Sequence, residues 1–135
     1  MASIFTKIIN RDIASYIVAE EADYIAFLDV YPLAVGHTLV VPKKEIDYMF
    51  NLDDSTLTGL ILFSKKVAIG IQKAIPCLRV GMAVVGLEVP HAHIHLIPLH
   101  DIHDDINFKK PKLKLSKVVL DSTAHQLKAA IAQVT

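Results

Sequence analysis

Four histidines hold the chemistry this chain could do. Three stand at alternate positions in Pro90-His91-Ala92-His93-Ile94-His95-Leu96-Ile97-Pro98, and the fourth, His37, opens a β-branched run, His37-Thr38-Leu39-Val40-Val41. Side chains alternate across an extended strand, so His91, His93 and His95 would share one face at steps of ~6.5–7 Å. Ala92, Ile94 and Leu96 would share the other, and that apolar row belongs against a core. The chain has seven histidines in 135 residues, so three at strict alternation are poorly explained as a polar outer face. Metal binding and phosphate chemistry remain. Neutral imidazole is a common zinc ligand. Zinc wants further ligands, however, and the nearest aspartate, Asp101, falls beyond the strand end. Phosphate chemistry uses the same residues differently, because an imidazole is a nucleophile when neutral and a donor when protonated. One histidine can attack phosphorus while its neighbours hold the phosphoryl oxygens.

Elements that could position these histidines follow from hydrophobic periodicity. Thr6 to Arg11 is at most a short helix. Ser15–Ala19 and Tyr24–Asp29 read as a hairpin turning at Glu20-Glu21-Ala22-Asp23, and Tyr31–Gly36 reads as a loop. The strand His37–Val41 ends at Pro42. A long helix, capped by Asp53 or Asp54, places Leu57, Leu60, Ile61, Ala68, Ile71 and Ile75 at helical spacing and stops at Pro76. Val80–Val85 is nearly all apolar, as expected of a strand covered on both faces. The turn Gly86-Leu87-Glu88 leads into the last strand, His91–Leu99. Beyond a polar arm at 101–117, Leu120, Ala124, Leu127 and Ile131 form a second stripe, with Ser116 the candidate cap. Hairpin-length links make the sheet mostly antiparallel, giving an α+β domain with helices on one face.

At 135 residues, 53% apolar and 21% charged, the chain is expected to form one domain with its own core. Fourteen Lys and Arg balance fourteen Asp and Glu, which argues against a general polyanion binder. Cys77 is the single cysteine. That excludes an intramolecular disulfide and any multi-cysteine metal site, and the residue reads as a small buried hydrophobe. Charges near the start leave no room for a signal peptide, and the longest uncharged apolar run, Val80–Leu87, is far short of the ~20 residues that span a bilayer. A soluble cytoplasmic protein without membrane association is expected. The lysines at 109, 110, 112, 114 and 117 are offset by Asp101, Asp104 and Asp105, so the arm reads as solvated or as a dimer strap and not as a nucleic-acid surface.

The segment His91–Ile97 resembles the His-φ-His-φ-His-φ-φ signature (φ apolar) of the histidine triad nucleotide hydrolases and transferases. The resemblance spans about residues 3–100 and includes Ile4-Phe5-Thr6-Lys7-Ile8-Ile9, Ala26-Phe27-Leu28-Asp29 and Gly36-His37-Thr38-Leu39-Val40-Val41-Pro42-Lys43. It implies a five-stranded antiparallel sheet with one long helix packed on it, a homodimer formed through that helix and the neighbouring strand, and a C-terminal arm and helix over about 101–135. It also implies a reaction on a purine nucleotide that needs no cofactor. His93 would attack the α-phosphorus of a nucleoside phosphoramidate, dinucleotide or similar compound. A nucleotidyl-histidine would form, and water would release a nucleoside monophosphate such as AMP. His95, His37 and His91 fall at the phosphate, the last through a main-chain carbonyl that orients the nucleophile. Ile4, Phe5, Ile8, Phe27 and Val30 would enclose the base, and Asp29 would bind the ribose hydroxyls. The same pocket on a non-catalytic nucleotide-binding module is the alternative.

The chain departs from that pattern in three places. Ser3 and Thr6 stand where many members carry a zinc-binding Cys-x-x-Cys, so no metal is expected. Gly86 replaces a usual asparagine, and Glu88 stands on the leaving-group side where a hydroxyl would be. A carboxylate there would favour an amine leaving group over an anionic one. The tail after Leu99 matches poorly.

Overall fold

The computed structural model describes residues 1–135. In chain order the elements are α1 (Ile4–Ile9), β1 (Ile17–Glu20), β2 (Tyr24–Leu28), β3 (Thr38–Pro42), α2 (Asp54–Ala74), β4 (Arg79–Ala83), β5 (Ile94–Leu99) and α3 (Lys117–Ala132). The five strands form one antiparallel sheet in the order β1-β2-β3-β5-β4. No helix is long and apolar enough to cross a membrane.

Apolar residues cover both faces of the central strands, which explains the unbroken runs in β2 and β3. Val18, Ala26, Leu28, Val40, Ile94 and Leu96 pack against Leu60, Phe63, Val67 and Ile71 of α2 and Leu120, Leu127 and Ile131 of α3. Ile25, Phe27, Leu39 and Val41 point the other way and pack with Phe5 and Ile8 of α1. The two amphipathic helices, α2 and α3, share one face as expected, and the short α1 covers part of the opposite one. Asp53 caps α2 by accepting from the Thr56 amide at 2.8 Å, and Ser116 caps α3 by accepting from Val119 at 3.2 Å.

Four expectations change. Strand β4 is an edge strand with one neighbour, so Met82 is 47% exposed and its apolar run is not covered on both faces. Ile61 sits on the helix stripe by sequence, yet it faces outward from α2. Cys77 is only half-buried. Strand β5 starts at Ile94, so His91 to His93 precede the regular ladder. The Ala92 amide donates instead to the Ile46 carbonyl at 2.7 Å.

The α2–α3 contact is close at Gly70, where an added Cβ would lie 2.8 Å from the Ile131 Cα and 2.9 Å from its nitrogen. Backbone atoms cannot yield as a side-chain tip can. Alanine's helix advantage over glycine is about 1 kcal/mol, against about 1–3 kcal/mol for overpacking. Gly70→Ala is expected to lower stability by up to about 2 kcal/mol in urea unfolding, and a raised midpoint would contradict this packing.

Candidate functional site

The register of β3 against β5 pairs Leu39 with His95 and Thr38 with Leu96. It places His37, just ahead of β3, within reach of His95. The preceding loop reverses at Gly36, whose φ of +94° suits glycine, and the Asp29 amide donates to the His37 carbonyl at 3.0 Å. The Leu33 amide donates to His37 Nδ1 at 3.0 Å, and His37 Nε2 lies 2.9 Å from His95 Nδ1. An amide can only donate, so His37 Nδ1 must keep its lone pair and the proton sits on Nε2. That proton is donated to His95 Nδ1, which leaves His95 with its own proton on Nε2. Both rings are therefore neutral. Burial, the largest cause in each case, pushes the pKa of His37 down to about 3 and that of His95 down to about 4.

A second chain of hydrogen bonds runs through His91. Its Nε2 lies 2.7 Å from the Pro42 carbonyl and its Nδ1 2.7 Å from Ser3 Oγ. A carbonyl can only accept, so Nε2 carries the proton and Ser3 donates its hydroxyl to Nδ1. Ser3 is held in turn at the start of α1, where Glu45 accepts from the Ser3 amide at 2.6 Å and from Thr6 Oγ1 at 2.7 Å. Those donors hold the Glu45 carboxyl down at about 2. The His91 main-chain carbonyl is 2.7 Å from His93 Nδ1. It fixes the His93 proton on Nδ1 and leaves the Nε2 lone pair free. Phe5 presses against the His93 ring, with centroids 5.0 Å apart and the planes at 83°.

Beside His93 and His95 lies a cavity of about 580 Å³. Ile4, Phe5, Ile8, Phe27, Asp29 and Val30 all line it, together with His93, His95 and Glu88. Asp29 Oδ1 accepts from the Tyr31 amide at 2.9 Å, and burial raises the carboxyl's pKa. His37 and His91 do not line the cavity. Both nitrogens of each ring are engaged within the protein, and the His91 contact at the site is its main-chain carbonyl, the group the resemblance implied. His37 sets the tautomer of His95, and His91 presents its carbonyl to His93. Sequence reasoning missed Phe108, Lys109 and Lys112, which reach the cavity from the C-terminal arm. The one aromatic in the arm, Phe108, was the available signal.

Neither donor set suits a metal. Asp29, His37 and His95 bring ligand atoms within 4.8 Å of one another. His37 Nε2 bears a proton, however, and freeing it would strand the Leu33 amide. At the start of α1, Ser3 and Thr6 offer neutral hydroxyls, and the one imidazole lone pair, on His91, is already taken by Ser3.

A neutral buried histidine makes stability depend on pH. The unfolded His37 titrates near 6.5 and the folded one at about 3, so the unfolded state alone takes up a proton as pH falls below 6.5. The stability present above that value is lost through this window, at about 1.4 kcal/mol per pH unit for each such group. Urea unfolding between pH 6.5 and 5 should show that slope, and His37→Asn, though less stable at pH 7.5, should show a shallower one. Equal slopes would contradict the neutral assignment.

A sequence profile of the HIT domain matches residues 10–102. An uncharacterized HIT-like protein of Borreliella burgdorferi is 36% identical over 114 residues, covering 79% of this chain and 81% of the relative. A Schizosaccharomyces pombe protein named adenosine 5'-monophosphoramidase is 37% identical over 100 residues, covering 73% of this chain and 74% of that protein. Among solved structures, a Hit-like protein of Bartonella henselae described as involved in cell-cycle regulation is 32% identical, with a TM-score of 0.83 and 95% of each chain covered. With its histidine-bearing strand inside the matched region and the same fold along nearly its whole length, the chain belongs to the HIT domain family.

Proposed function

We propose that the chain is a nucleotidyl hydrolase or transferase that cleaves the bond between the α-phosphorus of a nucleoside phosphoramidate, or a related nucleotide, and its leaving group. The observation that carries this reading is the His93 Nδ1–H held by the His91 carbonyl at 2.7 Å. It turns an Nε2 lone pair toward reaction beside His95, whose proton is on Nε2. Attack forms an Nε2–phosphorus bond as the leaving-group bond breaks, and the departing amine takes a proton from solvent, which is returned when water hydrolyses the adduct. The positive charge that develops on the His93 ring is shared with the His91 carbonyl through Nδ1–H, while His95 donates to a phosphoryl oxygen. Water then breaks the P–N bond, and the monophosphate, AMP for an adenosine substrate, leaves. Ile4, Phe5, Ile8, Phe27 and Val30 supply a slot for the base, Asp29 an acceptor for the ribose, and Glu88 a carboxylate on the leaving-group side. The similarity to proteins named adenosine 5'-monophosphoramidase supports adenosine phosphoramidates as the first substrates to try.

The same reading includes a homodimer working in the cytoplasm, where a nucleotide substrate is available. Ile61 and Leu62 on α2, at 43% and 61% exposure, and Met82 and Val84 at the β4 edge, at 47% and 45%, form an apolar surface suited to a second copy. Leu62→Glu is expected to convert a dimer to a monomer in light scattering. A parent that is monomeric at every concentration would contradict the pairing.

The covalent step has a direct test. Protein mixed with an adenosine phosphoramidate and quenched in alkaline denaturant, where a P–N bond survives, should show the mass of a nucleotidyl adduct. His93→Ala should show none and should lose at least ~10³-fold in kcat while still binding AMP. Turnover by His93→Ala at the parent rate would overturn the mechanism. AMP binding with no adduct and no turnover in the parent would favour a binding module.

A further inference from the structure

The phosphoryl end of the cavity is short of positive charge. His37 and His95 are neutral by their hydrogen bonding, and the carboxylates of Asp29 and Glu88 add negative charge. A substrate phosphoryl group is anionic, and attack by His93 concentrates charge on its oxygens. Among the lining residues the cations are Lys109 and Lys112, both from the segment between β5 and α3.

That segment is folded onto the protein at several points. The Leu113 amide donates to the Pro32 carbonyl at 2.8 Å. Ile106 packs so closely on β4 that a Cβ at Gly81 would lie 2.9 Å from its Cδ1, and Leu115 packs against the main core. Asp104 ties down the start by accepting from the His100 amide at 2.6 Å. Between these anchors the Phe108 ring lies over the histidine pair, with its centroid 4.5 Å from that of His95 and 6.5 Å from that of His37. The Lys112 ammonium sits 6.0 Å from the Phe108 centroid and donates to the Phe108 carbonyl and, at 3.2 Å, to the Lys110 carbonyl. An ammonium has three donors, so one is left for a ligand. Lys109 is exposed, whereas Lys112 is half-buried. The charge of Lys112 is felt at Asp29, His37 and His95 alike.

We propose that residues 101–116 are a strap over the chain's own phosphoryl site, and that Lys112 is the cation it delivers to the substrate phosphate while Phe108 covers His95. It takes the place of the solvated arm or dimer strap expected from the sequence. It also changes the electrostatics expected from Glu88 alone, because a lysine faces the same cavity. The proposal rests on the nucleotide reading above and adds to it the group that binds the phosphate charge.

Binding of AMP and of adenosine, measured by calorimetry at two or three salt concentrations, separates the two ideas. Lys112→Met should weaken AMP by roughly tenfold to a hundredfold and flatten its salt dependence, with adenosine changed less than twofold. Lys112→Arg should keep AMP within about threefold of the parent, since the charge is retained. Lys114→Met, on the exposed part of the same strap, should behave as the parent. Parent-like AMP binding by Lys112→Met would overturn the proposal. So would an equal loss of AMP and adenosine, which marks a folding defect, or an arginine variant as weak as the methionine one. A parent that binds neither ligand would instead remove the nucleotide reading, and the strap's role with it.

Discussion

Each imidazole in this site can do its part only if its single proton sits on one particular nitrogen, and main-chain groups decide which. The Leu33 amide cannot accept and the Pro42 and His91 carbonyls cannot donate, so each fixes the ring it meets. His37 then passes its assignment to His95. A His93 ring with a free lone pair thus ends up beside a His95 ring with a free N–H. Main-chain dipoles suit this task because the fold holds them rigidly and they do not titrate.

The fold exists to hold those dipoles. A sheet buried on both faces at β2 and β3 gives the backbone little freedom, and the β3–β5 register sets His37 against His95. The start of α1 seals the other side, where Ser3 and Glu45 hold the His91 ring and so place its carbonyl. Burial does more than exclude water. It keeps His37 and His95 neutral, which the chain of hydrogen bonds requires, and it leaves any positive charge in the cavity to be supplied from outside the sheet.

The parts that were legible in the sequence are those written in short-range patterns. Alternation in His91–Leu96 separates a histidine row from an apolar row, and Ala92, Ile94 and Leu96 do face α2 and the core. Caps at Asp53 and Ser116 and the paired apolar runs of β2 and β3 belong to the same class. What was not legible depends on long-range placement. Periodicity says that a residue is apolar, not which of two layers it joins, so the side taken by α1 was missed. The edge position of β4 depends on strand order, which no local pattern encodes. By alternation alone His91 is equivalent to its two neighbours, yet a helix more than eighty residues earlier packs on it. The strap is mostly polar, so its few anchors, Ile106, Phe108, Leu113 and Leu115, were diluted among charges.

Proton position is the most direct thing to measure. Long-range nitrogen–proton correlation spectra of the histidine side chains at pH 7.5 report which ring nitrogen is protonated in each residue. The hydrogen bonding predicts His93 with its proton on Nδ1, and His37, His91 and His95 each with theirs on Nε2. A His93 ring protonated on Nε2 would leave no lone pair for phosphorus and would contradict the mechanism at its root.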